Sequence, residues 1–131
     1  MAKRKYGISE DKINRYIKEG RGSGTKENYK PWIKIQDVSS KGRSNRIKGI
    51  KTNRIHHFLS DLETKCFYIL EWDDNVVDIR EQYPLIDRET AMKIANEKNI
   101  RYPIDYKTRT PVVMTTDFLV TKYENGILIN E

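Results

Sequence analysis

At 131 residues the chain is long enough for one domain with a core of its own and too short for several. Hydrophobic residues make up 37% and charged residues 34%, which describes a highly charged surface on a chain that still folds. No apolar run reaches the length of a membrane span, and the basic amino terminus lacks the apolar centre of a signal peptide. The single cysteine, Cys66, excludes an intrachain disulfide, so a reducing, cytoplasmic setting is expected. The net charge of +6 is unevenly spread: residues 1–57 hold 16 Lys/Arg against 5 Asp/Glu, whereas residues 58–131 hold 9 against 14. Cations on one half can neutralise nucleic-acid phosphates, and carboxylates on the other can gather a hard divalent ion. The same asymmetry would also fit a basic tail on an ordinary solvated domain.

In chain order, Met1 to Tyr6 reads as a short basic arm. Ser9 caps a predicted helix with Glu10 and Asp11 in its first turn and Ile13 and Ile17 as a narrow apolar stripe. Gly20-Arg21-Gly22-Ser23-Gly24 ends it as a basic loop able to approach phosphate, but without the strand and Gly-Lys-Ser/Thr of a nucleotide-binding loop. Trp32 to Val38 is predicted as a strand or extended segment introduced by Pro31. Ser39 to Lys51 carries Lys41, Arg43, Arg46, Lys48 and Lys51 among small polar residues, a loop or exposed ribbon suited to backbone phosphates. Thr52-Asn53 turns the chain into Arg54 and the adjacent His56 and His57. Two histidines without a third ligand are poor evidence for zinc; a DNA contact or a structural role is the expectation.

Asp61 to Glu71 follows as an amphipathic helix, with Leu62, Cys66, Ile69 and Leu70 on its expected buried face. Ser60 followed by Glu63 forms a capping box, and Glu63 is open to a second role as a metal ligand. After a turn at Asp73-Asp74-Asn75, Val77 to Leu85 alternates as a strand with one buried face. Asp87 caps a further helix, with Ala91, Met92, Ile94 and Ala95 inward and Asn99 as its stop. Tyr102 to Pro111 connects to a strand at Val112–Val120, and Glu124-Asn125-Gly126 turns it into Ile127-Leu128-Ile129. Asp117 interrupts that β-branched strand. Strand alternation could turn it to solvent beside Thr115 and Thr121; alternatively it is a carboxylate placed to hold Mg²⁺ with Glu63.

The run His56 to Glu63, then Leu70-Glu71-Trp72, Val77 to Leu85 and Thr116 to Val120, resembles the TnsA endonuclease subunit of heteromeric bacterial transposases. Lys18 to Gly22, Pro31-Trp32 and Gly42-Arg43-Ser44 extend the resemblance over essentially the whole chain. It implies an α/β, restriction-endonuclease-like fold, a mixed sheet flanked by helices with a basic helical and loop region in front. Residues 1–54 would form that DNA-contacting region and residues 55–131 the endonuclease core, in one continuous domain. It also implies Mg²⁺-dependent cutting at the 5′ ends of a transposon, with Mn²⁺ as a substitute, a partner transposase subunit and an ATP-dependent regulator. The location implied is the bacterial cytoplasm, on the nucleoid when DNA is bound.

Carried over by position, Glu63 and Asp117 are the implied catalytic metal ligands; the basic patterning of the amino-terminal half makes Arg21, Lys41, Arg43, Arg46, Lys48, Lys51 and Arg54 the expected DNA-contacting cations. The family's polar residue and lysine on the returning strand lack a clear match. Asn130 and Glu131 are the candidates, and Lys122 is the only lysine after Asp117. The chain is therefore expected to stop before the last active-site strand and to lack the regulator-binding domain. The competing expectation is a catalytically inactive DNA-binding or transposase-interaction module.

Overall fold

A computed structural model describes residues 8–38 and 44–131. Three α-helices and two antiparallel sheets make a mixed α/β domain, consistent with a restriction-endonuclease-like α/β arrangement. Helix α1 spans Glu10–Lys18, strands β1 and β2 span Asn45–Lys48 and Ile55–Phe58, and helix α2 spans Asp61–Trp72. Strand β3 spans Val76–Pro84, helix α3 Arg88–Glu97, and strands β4 and β5 span Thr115–Glu124 and Ile127–Asn130. The first sheet is the β1–β2 hairpin; the second has the order β3-β4-β5. Among the described residues, no helix is long and apolar enough to cross a membrane.

Local chemistry sets most boundaries. Ser9 Oγ accepts from Lys12 N–H at 3.2 Å, and the Asp87 carboxylate accepts from Thr90 N–H at 3.2 Å, so both predicted caps form. Helix α3 ends as expected at Asn99, whose φ of 56° lets Ile100 N–H return to Ala95 O at 2.8 Å. Asn125 and Gly126, at φ 53° and 79°, make the tight β4–β5 turn.

Residues 32–38 are not a strand. Trp32 N–H does bond to Gln82 O, but Ile35–Asp37 winds into a 3₁₀ turn. Asp37 causes this: its carboxylate accepts from Lys34 N–H at 2.9 Å and from Arg21 Nη1 at 2.6 Å, folding the chain back.

Helix α2 is rotated from its predicted facing. Leu62 is 77% and Ile69 71% exposed, Cys66 is exposed, and Phe67 is buried instead. The stripe that faces inward is Glu63, Phe67 and Leu70, one residue further along. Phe67 sits 4.8 Å from Phe58 and 4.6 Å from His56 between ring centres, and an aromatic side chain outweighs the smaller groups in apolar area. Polar contacts fix the same rotation: Glu71 accepts from Ile50 and Lys51 N–H, and Thr64 Oγ1 accepts from Asn45. Around this helix, Phe58, Val76, Ile79 and Val120 complete one core; Ile13, Tyr16, Trp32 and Val113 form a second under α1.

Strand β3 also departs from one-sided burial, since seven of its nine residues are buried. β2 and α2 cover one side; residues 26–32 cover the other, with Lys26 N–H on Asp78 and Tyr29 Oη on the Glu81 carbonyl. Glu81 itself is fully buried. Its Oε1 accepts from Arg54 Nη2 at 2.6 Å and lies 3.0 Å from His56 Nδ1; its Oε2 accepts from Arg54 Nη1 at 3.0 Å and His57 N–H at 2.8 Å. A carboxylate only accepts, so Nδ1 of His56 carries the donated proton, and Nε2 lies 2.6 Å from Thr52 Oγ1. Gly49 passes so close that a Cβ there would stand 2.6 Å from both His56 Nε2 and Thr52 Oγ1.

Burial alone would raise the Glu81 pKa, but hydrogen bonds and charge from His56 and Arg54 prevail and bring it from 4.5 down to about 2. A lowered carboxyl pKa contributes stability that is complete above pH 4.5 and is lost as pH falls through about 2. Glu81→Gln is therefore expected to be less stable than the parent by roughly 3 kcal/mol near neutrality, as for a broken buried pair. In urea unfolding at stepped pH, that difference should shrink toward zero between pH 4.5 and 2.

Candidate active site

Glu63 stands in the first turn of α2, where Ser60 caps the helix by accepting from Glu63 N–H at 3.2 Å. The half-buried carboxylate has a partner on each oxygen: Oε2 accepts from Ser60 Oγ at 3.0 Å, and Oε1 accepts from Gln82 Nε2 at 3.0 Å. Gln82 is 4% exposed and belongs to β3; its Oε1 accepts from Thr115 Oγ1 of β4 at 3.3 Å. One amide thus joins the helix carboxylate to the second strand of the sheet.

Asp117 lies two residues beyond Thr115 on β4. Phe118 packs on the core, which turns Asp117 away from it. Glu81 pairs with Phe118 and Tyr83 with Thr116, placing Gln82 opposite Asp117 in the ladder. Asp117 is exposed, and its carboxylate has no hydrogen bond or ion pair among the described residues. Glu63 and Asp117 are not in direct contact; the shared link is Gln82 with Thr115. Among the described residues no cluster of three or more His, Cys, Asp or Glu could hold a metal. The donors present are two carboxylates with amide and hydroxyl oxygens between them. This hard set fits Mg²⁺, which uses one or two carboxylates and keeps waters, better than zinc or a calcium cage.

The histidines are structural, as one of the sequence alternatives had it. His56 is enclosed between Glu81 and Thr52, and His57 Nδ1 accepts from Ile35 N–H at 3.2 Å. Burial, partly opposed by Glu81, lowers the His57 pKa. Lys122 pairs with Glu131 at 2.7 Å.

The expected DNA-contacting cations divide into three groups. Arg46 and Lys48 alternate on the exposed face of β1, and Lys51 is half-buried beside them. Lys41 and Arg43 lie outside the described residues, as does the basic arm. Arg21 and Arg54, expected as exposed cations, are buried. Arg21 lies over the Tyr16 ring at 3.7 Å and bonds to Trp32 O, Glu19 and Asp37. Arg54 is taken up by Glu81 and by the carbonyls of Lys26 and Ile79. Apart from Glu19, these acceptors come from segments 11 to 28 residues away, so little that is local separated them from the solvent-facing arginines. Gln82 and the Glu81 cluster were missed for the same reason.

Comparison with known proteins agrees with the resemblance carried by these motifs. The transposon Tn7 transposition protein TnsA of Escherichia coli is 49% identical over 120 residues, 92% of this chain. Over that stretch the chain is similar to TnsA. It spans 43% of the length of that TnsA protein. No family model matches the chain.

Two variants separate the exposed cations from the buried arginines. Arg46→Ala with Lys48→Ala is expected to reduce the slope of log K against log salt for duplex binding by about 2, with folding intact. Arg21→Ala should leave that slope unchanged and lower stability by roughly 2–3 kcal/mol in chemical denaturation, because Asp37 and Trp32 O lose a buried donor.

Proposed function

We propose that this chain acts in DNA transposition as a metal-dependent endonuclease, cutting at the 5′ ends of a transposon together with a partner transposase and under an ATP-dependent regulator. The observation that carries this reading is the placement of Glu63: it is bridged through Gln82 to Thr115, two residues from Asp117 on β4. The likeness to the Tn7 transposition protein TnsA supports a role in transposition; the reaction and the partners are what the motif resemblance implies, and the hard oxygen donors favour Mg²⁺.

In this reading Glu63 and Asp117 hold Mg²⁺, with Mn²⁺ as its substitute. Bound there, the ion supplies Lewis-acid polarisation of the scissile phosphate and acidification of water. The chain's own contributions are positional. Ser60 and Gln82 fix the two oxygens of Glu63, and the sheet keeps Asp117 exposed where a phosphate and its solvent can approach. Arg46 and Lys48 offer unspecific charge to the DNA backbone, which sets register without reading bases. Lys122, held by Glu131, takes no part.

The test is Mg²⁺-dependent nicking of a duplex bearing transposon ends, with the partner transposase present. Glu63→Ala and Asp117→Ala are each expected to slow cutting by ~10²–10³, the usual cost of one electrostatic contact at a reacting centre. Lys122→Ala should leave it unchanged. Cutting that survives both alanine changes would place the metal, or the chemistry, elsewhere.

A further inference from the structure

Gln82 combines a backbone anomaly with a side chain aimed at the candidate centre. Its φ is 46°, in the left-handed region that a residue with a Cβ seldom adopts, and it lies within strand β3. In an extended strand, neighbouring side chains leave on opposite sides. Here Glu81 reaches β2 and Gln82 reaches α2, while Tyr83 stacks on Tyr29 at 6.3 Å beneath Arg80 at 5.4 Å. Arg80 and Tyr83, three residues apart, thus share one side; the left-handed turn at Gln82 has reset the alternation. The turned carbonyl is clamped by Trp32 N–H at 3.1 Å and Tyr29 Oη at 3.2 Å. Residues held in such backbone conformations concentrate at functional sites, because the surrounding structure must over-determine them.

We propose that Gln82 is the positioning residue for Glu63, holding the helix-borne carboxylate against β4 through an amide that only this backbone turn can aim. The proposal rests on the metal-centre reading above. The choice of side chain follows from charge. A carboxamide donates to Glu63 Oε1 and accepts from Thr115 Oγ1, so it fixes the ligand without cancelling the negative charge that attracts a cation. Lysine or arginine there would neutralise Glu63, and a carboxylate would repel it. Supporting partners of this kind orient metal ligands, and losing one typically weakens metal affinity by about 10–100-fold.

The experiment titrates Mn²⁺ alone into the 131-residue chain, reading free Mn²⁺ by electron paramagnetic resonance, with thermal unfolding of each metal-free variant. Gln82→Gly keeps the left-handed backbone and removes the amide. Gln82→Asn tolerates the same backbone but is one methylene too short to reach Glu63. Thr115→Val leaves the amide without its second anchor. Glu63→Gln and Asp117→Asn report on the metal centre itself. The expected result is loss of Mn²⁺ binding in the two carboxylate variants. Gln82→Gly and Gln82→Asn should bind about 10-fold more weakly, and Thr115→Val a few-fold more weakly, with unfolding temperatures close to the parent's. If Glu63→Gln abolishes binding while the Gln82 and Thr115 variants bind like the parent, the positioning role is overturned and the metal centre stands. If Glu63→Gln binds like the parent, the metal-centre reading fails and the proposal falls with it. Should Gln82→Gly not fold, Gln82→Asn and Thr115→Val decide the question by the same readout.

Discussion

A carboxylate with no access to solvent must be matched bond for bond, and Glu81 is matched completely. Arg54, His56 and the His57 backbone surround it, and Arg54 in turn binds carbonyls from Lys26 and Ile79. One charge pair therefore joins the segment before β2, the strand β2, the strand β3 and the turn at Lys26. Removing either charge leaves the other stranded in a low-dielectric interior, which is why such a pair constrains geometry more than it adds net stability. Gly49 and Thr52 are part of the same constraint, since the chain must pass within contact distance of the His56 ring.

The candidate centre depends on that constraint through its neighbour in sequence. With Glu81 committed to β2, Gln82 can reach α2 only by leaving the extended conformation, and its carbonyl is held by Trp32 and Tyr29. The amino-terminal region therefore has a packing role as well as a charge. Tyr29 and Trp32 clamp β3, Arg21 braces the loop that carries Trp32, and α1 closes the second core over Trp32 and Val113. Among the described residues, Arg46 and Lys48 are not drawn into that packing and stand exposed on β1.

Helix α2 shows how two demands on one element are resolved. Its sequence offers two neighbouring apolar stripes about 100° apart. The stripe carrying Phe67 faces the core, and Glu63 and Glu71 come with it, one toward Gln82 and one toward the N–H groups of Ile50 and Lys51. Leu62, Ile69 and Trp72 are consequently left on the outer surface.

Read alone, the sequence determined what local chemistry controls. The caps at Ser9, Ser60 and Asp87, the stops at Gly20 and Asn99, the Asn125-Gly126 turn and the positions of α1, α2 and α3 follow from interactions within a few residues; the strand expected at Val112–Val120 runs instead over Thr115–Glu124, where its pairing with β3 sets it. It also marked Glu63 and Asp117 as candidates, through motif order and an acid misplaced in a strand. Only the tertiary structure decided which arginines are buried, which stripe of α2 faces inward and why residues 35–37 coil, because each outcome turns on groups from another segment: Asp37 meets Arg21, Glu81 meets Arg54, and Phe58 and the backbone partners of Glu71 set α2. The link from Glu63 through Gln82 to Thr115 belongs to the same class. Glutamine carries no charge and no periodic signature in a strand, so its role appears only where the fold brings α2 and β4 to the two ends of its amide.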